Sequence, residues 1–116
     1  GTVVFDHLGR LPAESGTRDP GFGVIRRMLD RGNTWMKLSG AYMHAHPPAY
    51  AEAGAIARAY VQAAPERMVW GSDWPHPTEA TKPDDALLFD LLGDWAGDEA
   101  LRRAILADNP RTLYGF

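Results

Sequence analysis

Two short signatures carry the residue types that could do chemistry: Asp6-His7-Leu8-Gly9-Arg10 and Gly71-Ser72-Asp73-Trp74-Pro75-His76-Pro77. Each follows an apolar run, Val3-Val4-Phe5 or Met68-Val69-Trp70, of the kind that forms a buried strand. A titratable side chain at the end of such a strand stands at the mouth of a parallel α/β sheet, where ligands bind. Asp73 there could take a proton from water attacking a carbonyl, or ligate a metal; the plainer reading is a carboxylate that satisfies its own turn. His7 could coordinate a metal as a neutral imidazole or polarise a carbonyl oxygen as a donor. Its plainer reading is a buried histidine satisfied by backbone.

The neighbouring residues divide in the same way. Arg10 follows a glycine that permits a sharp turn, and its planar fork suits a substrate carboxylate; a surface ion pair is the alternative. His76 is fenced by Pro75 and Pro77, which restrict the backbone and could present its ring to the same mouth; an exposed loop histidine is the alternative. His44-Ala45-His46 has the spacing of a metal pair but precedes Pro47-Pro48 in a loop, which favours a chance pairing. Lys37 alternates with apolar neighbours, so it points into a barrel lumen or to solvent, and Ser39 could donate a hydrogen bond where that strand ends. The tryptophans and tyrosines read as core rather than as a recognition box.

The elements that must position these groups follow from periodicity and punctuation. Residues 2–6 form a first strand, and Asp19-Pro20 opens a helix with Phe22, Ile25, Met28 and Leu29 on one face and Gly32 at its end. Thr34 to Leu38 is a second strand. A helix over roughly 48–64 presents Tyr50, Ala53, Ala57, Tyr60 and Val61 and stops at Pro65. Arg67 to Gly71 is the third strand, and the proline-rich stretch 75–83 is a loop. Asp84 caps a helix striped with Leu87, Leu88, Leu91, Leu92 and Trp95, and Asp98 caps another with Leu101, Ile105 and Leu106. Asn109-Pro110 starts a terminal turn expected to bury Leu113, Tyr114 and Phe116.

Alternating strands and helices imply an α/β fold of parallel strands with right-handed crossovers. Three parallel strands leave two edges of unpaired backbone groups, so residues 1–116 read as one partial domain, the last three strands of a closed eight-stranded barrel. The start at Gly1, with a strand almost at once and no initiator methionine, fits the C-terminal piece of a longer protein.

A formal net charge of −3 argues against nucleic acid or an anionic membrane as partner. No apolar run approaches the roughly 20 residues that span a bilayer, and Gly1-Thr2-Val3-Val4 carries no basic stretch ahead of an apolar one, so a signal peptide is not expected. Zero cysteines exclude disulfides and thiolate metal sites and fit a cytoplasmic location.

Four motifs in order carry a resemblance. They are Phe5-Asp6-His7-Leu8-Gly9-Arg10, Met36-Lys37-Leu38-Ser39-Gly40, Val69-Trp70-Gly71-Ser72-Asp73-Trp74-Pro75-His76-Pro77 and Asp108-Asn109-Pro110-Arg111-Thr112-Leu113-Tyr114-Gly115-Phe116. Together they resemble the amidohydrolase-related TIM-barrel hydrolases, particularly the 2-pyrone-4,6-dicarboxylate lactonase group. The resemblance spans the whole chain and the last two-fifths or so of a barrel of roughly 250 residues.

That resemblance implies a lactone hydrolase in which Asp73, ending the eighth strand, activates water and His7 polarises the lactone carbonyl. It implies substrate contacts for Arg10 and His76, with Ser39 at the neighbouring strand end. Pyrone lactonases of this group need no metal. Relatives that decarboxylate aromatic acids bind a divalent ion such as Zn or Mn, for which His7 and Asp73 would be the ligands here. The family's His-x-His of the first barrel strand is absent, and a further carboxylate-binding arginine expected after Gly40 is replaced by Ala41-Tyr42-Met43-His44. A lactone with fewer carboxylates, held in part by Tyr42 or His44, is the corresponding expectation. The expected partners are a small lactone or carboxylate substrate and an N-terminal barrel half or a second copy of the chain.

Overall fold

Three aspartates set the helix starts. The computed structural model of the chain describes residues 1–12, 14–43, 45–46 and 50–115. In it the carboxylate of Asp19 accepts from the Gly21 amide, that of Asp84 from Ala86 and Leu87, and that of Asp98 from Ala100 and Leu101. Each satisfies amides that the first helical turn cannot pair internally. The helices that follow are α1 (Pro20–Asp30), α3 (Asp85–Ala96) and α4 (Glu99–Arg103), with α2 (Ala51–Ala63) between the first two. Pro47 and Pro48, expected at the start of α2, lie outside the described residues.

The strands β1 (Val3–Phe5), β2 (Thr34–Leu38) and β3 (Met68–Trp70) form one parallel sheet in the order β1-β2-β3. Phe5 pairs with Met36, and Leu38 pairs with Trp70. Among the described residues, β1 and β3 each pair only with β2. Because side chains alternate, Met36, Leu38 and Met68 face the helices and join Leu8, Ile25, Leu29, Ile56, Tyr60 and Leu92 in one buried core. Lys37 lies on the other face, its Nζ 3.4 Å from Asp6 Oδ1.

The C-terminal segment corrects two expectations. A π-helical turn, Ala104–Asp108, leads into α5 (Asn109–Tyr114), so the expected turn is a helix. Its inward anchor is polar. Asn109 is buried, and its Nδ2 donates to the carbonyls of Pro65 and Met68, at 2.8 Å each, beneath β3. The helical period then keeps Leu113 on the inner side, half-buried, and turns Tyr114 outward to 57% exposure. Phe116 lies outside the described residues.

The aromatic expectation divides. Trp35, Trp95, Tyr50 and Tyr60 are core, whereas Trp74 is 73% exposed because it sits on the loop directly beyond β3. No helix among the described residues is long and apolar enough to cross a membrane.

Candidate active site

Beyond β1 the chain turns through an uncommon backbone. Six non-glycine residues have φ between 48° and 63°: His7, Leu8, Arg10, Tyr50, Asp73 and His76. All but Tyr50 lie in the two strand-end signatures. Left-handed backbone costs a side-chain-bearing residue roughly 1–2 kcal/mol and persists where the surroundings impose it.

Those surroundings are visible. Leu8 is fully buried, and its carbonyl accepts from the Tyr60 hydroxyl at 3.2 Å. At Gly9 the backbone is left-handed (φ +69°), which favours glycine, and a Cβ would stand 2.7 Å from Ile25 Cδ1, so Ile25 would have to shift. The Leu8-Gly9 pair is thus pressed into the core, which turns His7 back over the end of β2. After β3, Ser72 Oγ accepts from the Trp74 amide at 3.2 Å and Asp73 O from the His76 amide at 2.7 Å. The Trp74-Pro75 peptide is cis.

The two strand ends meet. His7 Nε2 lies 3.8 Å from Asp73 Oδ1, and His7 Nδ1 lies 2.8 Å from Ser39 Oγ. Asp73 Oδ2 accepts a hydrogen bond from the Tyr42 hydroxyl. Burial, reinforced by this hydrogen bond and by the Asp73 charge, raises the Tyr42 phenol well above its usual 10.0, so it remains a donor at neutral pH. The arrangement is a carboxylate with one oxygen held by a phenol and the other facing an imidazole, which is in turn tethered by a hydroxyl.

Ser39, expected against substrate, is buried behind His7. The cause is Gly40 (φ +70°), where a Cβ would meet His7 Cβ, Cγ and Nδ1 at 3.0–3.1 Å; the ring lies directly on that glycine. Tyr42, also expected against substrate, turns its hydroxyl to Asp73. His76, expected on the open rim, is only 2% exposed. Its Nε2 is 2.8 Å from Asp85 Oδ1, and its ring meets Tyr42 edge-on at a centroid distance of 5.4 Å.

Arg10 is exposed and lines an adjoining groove of about 290 Å³ with Met43, Thr78 and Glu79. His46 is exposed in a neighbouring hollow with Tyr50 and Lys82, while His44 lies outside the described residues.

Two participants escape sequence reasoning: Asp85, and Lys82, whose Nζ donates to His76 O at 2.7 Å. The signal for Asp85 was the Asp84-Asp85 pair, since one carboxylate suffices to cap a helix and leaves the other free.

Of the residues expected to ligate a metal, His7 and Asp73 stand together. Among the described residues no three His, Asp or Glu side chains converge on one point. With Nδ1 on Ser39 and Oδ2 on Tyr42, each of these two has one further donor atom, which is too few to define a metal's geometry.

A sequence model of the Amidohydrolase family matches residues 2–116. The chain is 39% identical over 115 residues to D-galactarolactone isomerase of Agrobacterium fabrum, covering 96% of this chain and 39% of that protein. It is 37% identical over 117 residues to 4-sulfomuconolactone hydrolase of Rhizobium radiobacter, covering 97% and 39%. It is 34% identical over 124 residues to a 2-pyrone-4,6-dicarboxylate hydrolase of Comamonas testosteroni, covering 97% and 41%. The apo crystal structure of an Agrobacterium tumefaciens protein superposes with a TM-score of 0.85 at 39% identity, over 97% of this chain and 41% of that one. The chain therefore spans about two-fifths of the length of these relatives.

Proposed function

The chain belongs to the Amidohydrolase family, and from that premise we propose that the protein containing it opens a lactone ring with water, using Asp73 as general base. The observation that carries this reading is the 3.8 Å approach of His7 Nε2 to Asp73 Oδ1 at one mouth of the sheet. The relatives named for lactone hydrolysis support it.

Each group has a role. Tyr42 holds Oδ2, so Asp73 presents Oδ1 to water and accepts its proton as the new C–O bond forms. Ser39 donates to His7 Nδ1, which leaves Nε2–H to stabilise the carbonyl oxygen as it becomes an oxyanion. Collapse of the tetrahedral intermediate breaks the ring C–O bond, and protonated Asp73 returns its proton to the departing oxygen. Arg10, in the adjoining groove, clamps a carboxylate of the substrate. No step is routed through a metal.

The test is lactone turnover by the intact protein with Asp73→Asn. Loss of about 10²–10⁴ in kcat is expected for a missing general base, and near wild-type turnover would overturn the assignment.

The similarity to D-galactarolactone isomerase favours one second reading. In it the same base deprotonates a hydroxyl of the substrate, which attacks the carbonyl in place of water. Turnover in ¹⁸O-water separates the two, because only hydrolysis places the label in the product carboxylate.

A further inference from the structure

We propose that Asp85, at the start of α3, is a positioning residue for Asp73 that acts through His76 and Tyr42. The inference rests on the reading of Asp73 as base and extends it outward.

The links are continuous. Asp85 Oδ1 accepts from His76 Nε2 at 2.8 Å, which fixes the Nε2–H tautomer and the tilt of the ring. The backbone of His76 is held as well, its carbonyl by Lys82 Nζ at 2.7 Å and the Glu79 amide at 3.1 Å, and its amide by Asp73 O at 2.7 Å. The buried ring stands perpendicular to Tyr42 at 5.4 Å, and Tyr42 donates to Asp73 Oδ2. The orientation of the phenol, and through it which carboxylate oxygen faces the mouth, therefore depends on the His76 plane.

Helix capping does not account for Asp85. Asp84 already accepts from Ala86 and Leu87, and the Asp85 side chain is 43% exposed. An Asp85→Ala protein therefore keeps its helix cap and loses the side-chain partner of His76 Nε2. The catalytic carboxylate and α3 are coupled without any contact between Asp85 and the reacting atoms.

The test is a double-mutant cycle in the intact protein, with lactone turnover and Tyr42 ring NMR shifts as readouts. Asp85→Ala is expected to lower kcat about tenfold while KM changes less than about twofold, and to do almost nothing further in a Tyr42→Phe background. Asp85→Asn, whose amide oxygen still accepts from Nε2–H, is expected to restore most of that loss. Equal fold-losses in both backgrounds, a KM effect alone, or an Asn variant as impaired as the Ala variant would overturn the proposal.

The NMR arm needs no turnover. Removing Asp85 is expected to shift the Tyr42 ring resonances, because the perpendicular His76 ring moves. A protein inactive on lactones that shows this shift fails the hydrolytic reading and keeps the link. An active one with unmoved Tyr42 resonances loses the link and keeps the reaction.

Discussion

The Nε2 of His7 faces Oδ1 of Asp73 across 3.8 Å, although the two follow β1 and β3, which have β2 between them. The parallel arrangement puts both strand ends at one mouth, and the left-handed turn after β1 bends His7 over Ser39 and Gly40 toward Asp73.

Ser39→Ala removes the hydroxyl that tethers His7 Nδ1. The expected result is a fall in kcat of about tenfold, with a stability loss of about 1 kcal/mol for one buried hydrogen bond. Steady-state kinetics and urea unfolding of the same variant check both numbers.

Gly40→Ala meets two obstacles, a φ of +70° and a Cβ 3.0–3.1 Å from the His7 ring and its Cβ. About 1–2 kcal/mol of destabilisation follows from the backbone alone. Displacement of His7 is expected to reduce kcat more than Ser39→Ala does. An alanine variant with wild-type kcat would show that His7 need not sit where it does.

Arg10→Lys keeps the charge but loses the planar fork. Arg10 is exposed, so stability should not change, while KM for a carboxylate-bearing lactone rises about tenfold and kcat falls less. The same KM for a lactone without that carboxylate, in wild type and variant alike, completes the check.

Alkaline stability follows from tyrosine burial. Tyr42, Tyr50 and Tyr60 are all raised above their ordinary 10.0, chiefly by desolvation. A group whose folded pKa is raised keeps its full contribution below the unfolded value and loses it as pH climbs toward the folded one. Unfolding free energy should therefore be level through pH 9 and decline above about pH 10. Tyr60→Phe is expected to flatten that decline, at the cost of the hydrogen bond to Leu8 O. Denaturant titrations at successive pH values measure it.

Asn109→Ala leaves the carbonyls of Pro65 and Met68 without their buried donor. A loss of about 2–3 kcal/mol is expected from two hydrogen bonds, with kcat preserved because Asn109 lies beneath β3, away from the mouth. Thermal unfolding with parallel kinetics distinguishes this from any effect on the site.

The α/β order was written in the residues themselves. Asp19, Asp84 and Asp98 mark helix starts by local hydrogen bonding, and short apolar runs bounded by turn residues mark strands, so neither needs distant contacts to be read. The parallel pairing followed from the alternation. Which ring nitrogen meets which oxygen could not be read this way. Ser39 behind His7, Tyr42 on Asp73 and Asp85 on His76 join residues 32, 31 and 9 positions apart. The join at His7 goes with left-handed backbone at His7, Gly9 and Gly40, where the His7 ring lies against a glycine that has no Cβ to obstruct it. Residue type and short-range spacing therefore named the chemistry available at two strand ends. Only the folded chain, by forcing those ends to bend toward each other, decided which groups touch and which stand behind.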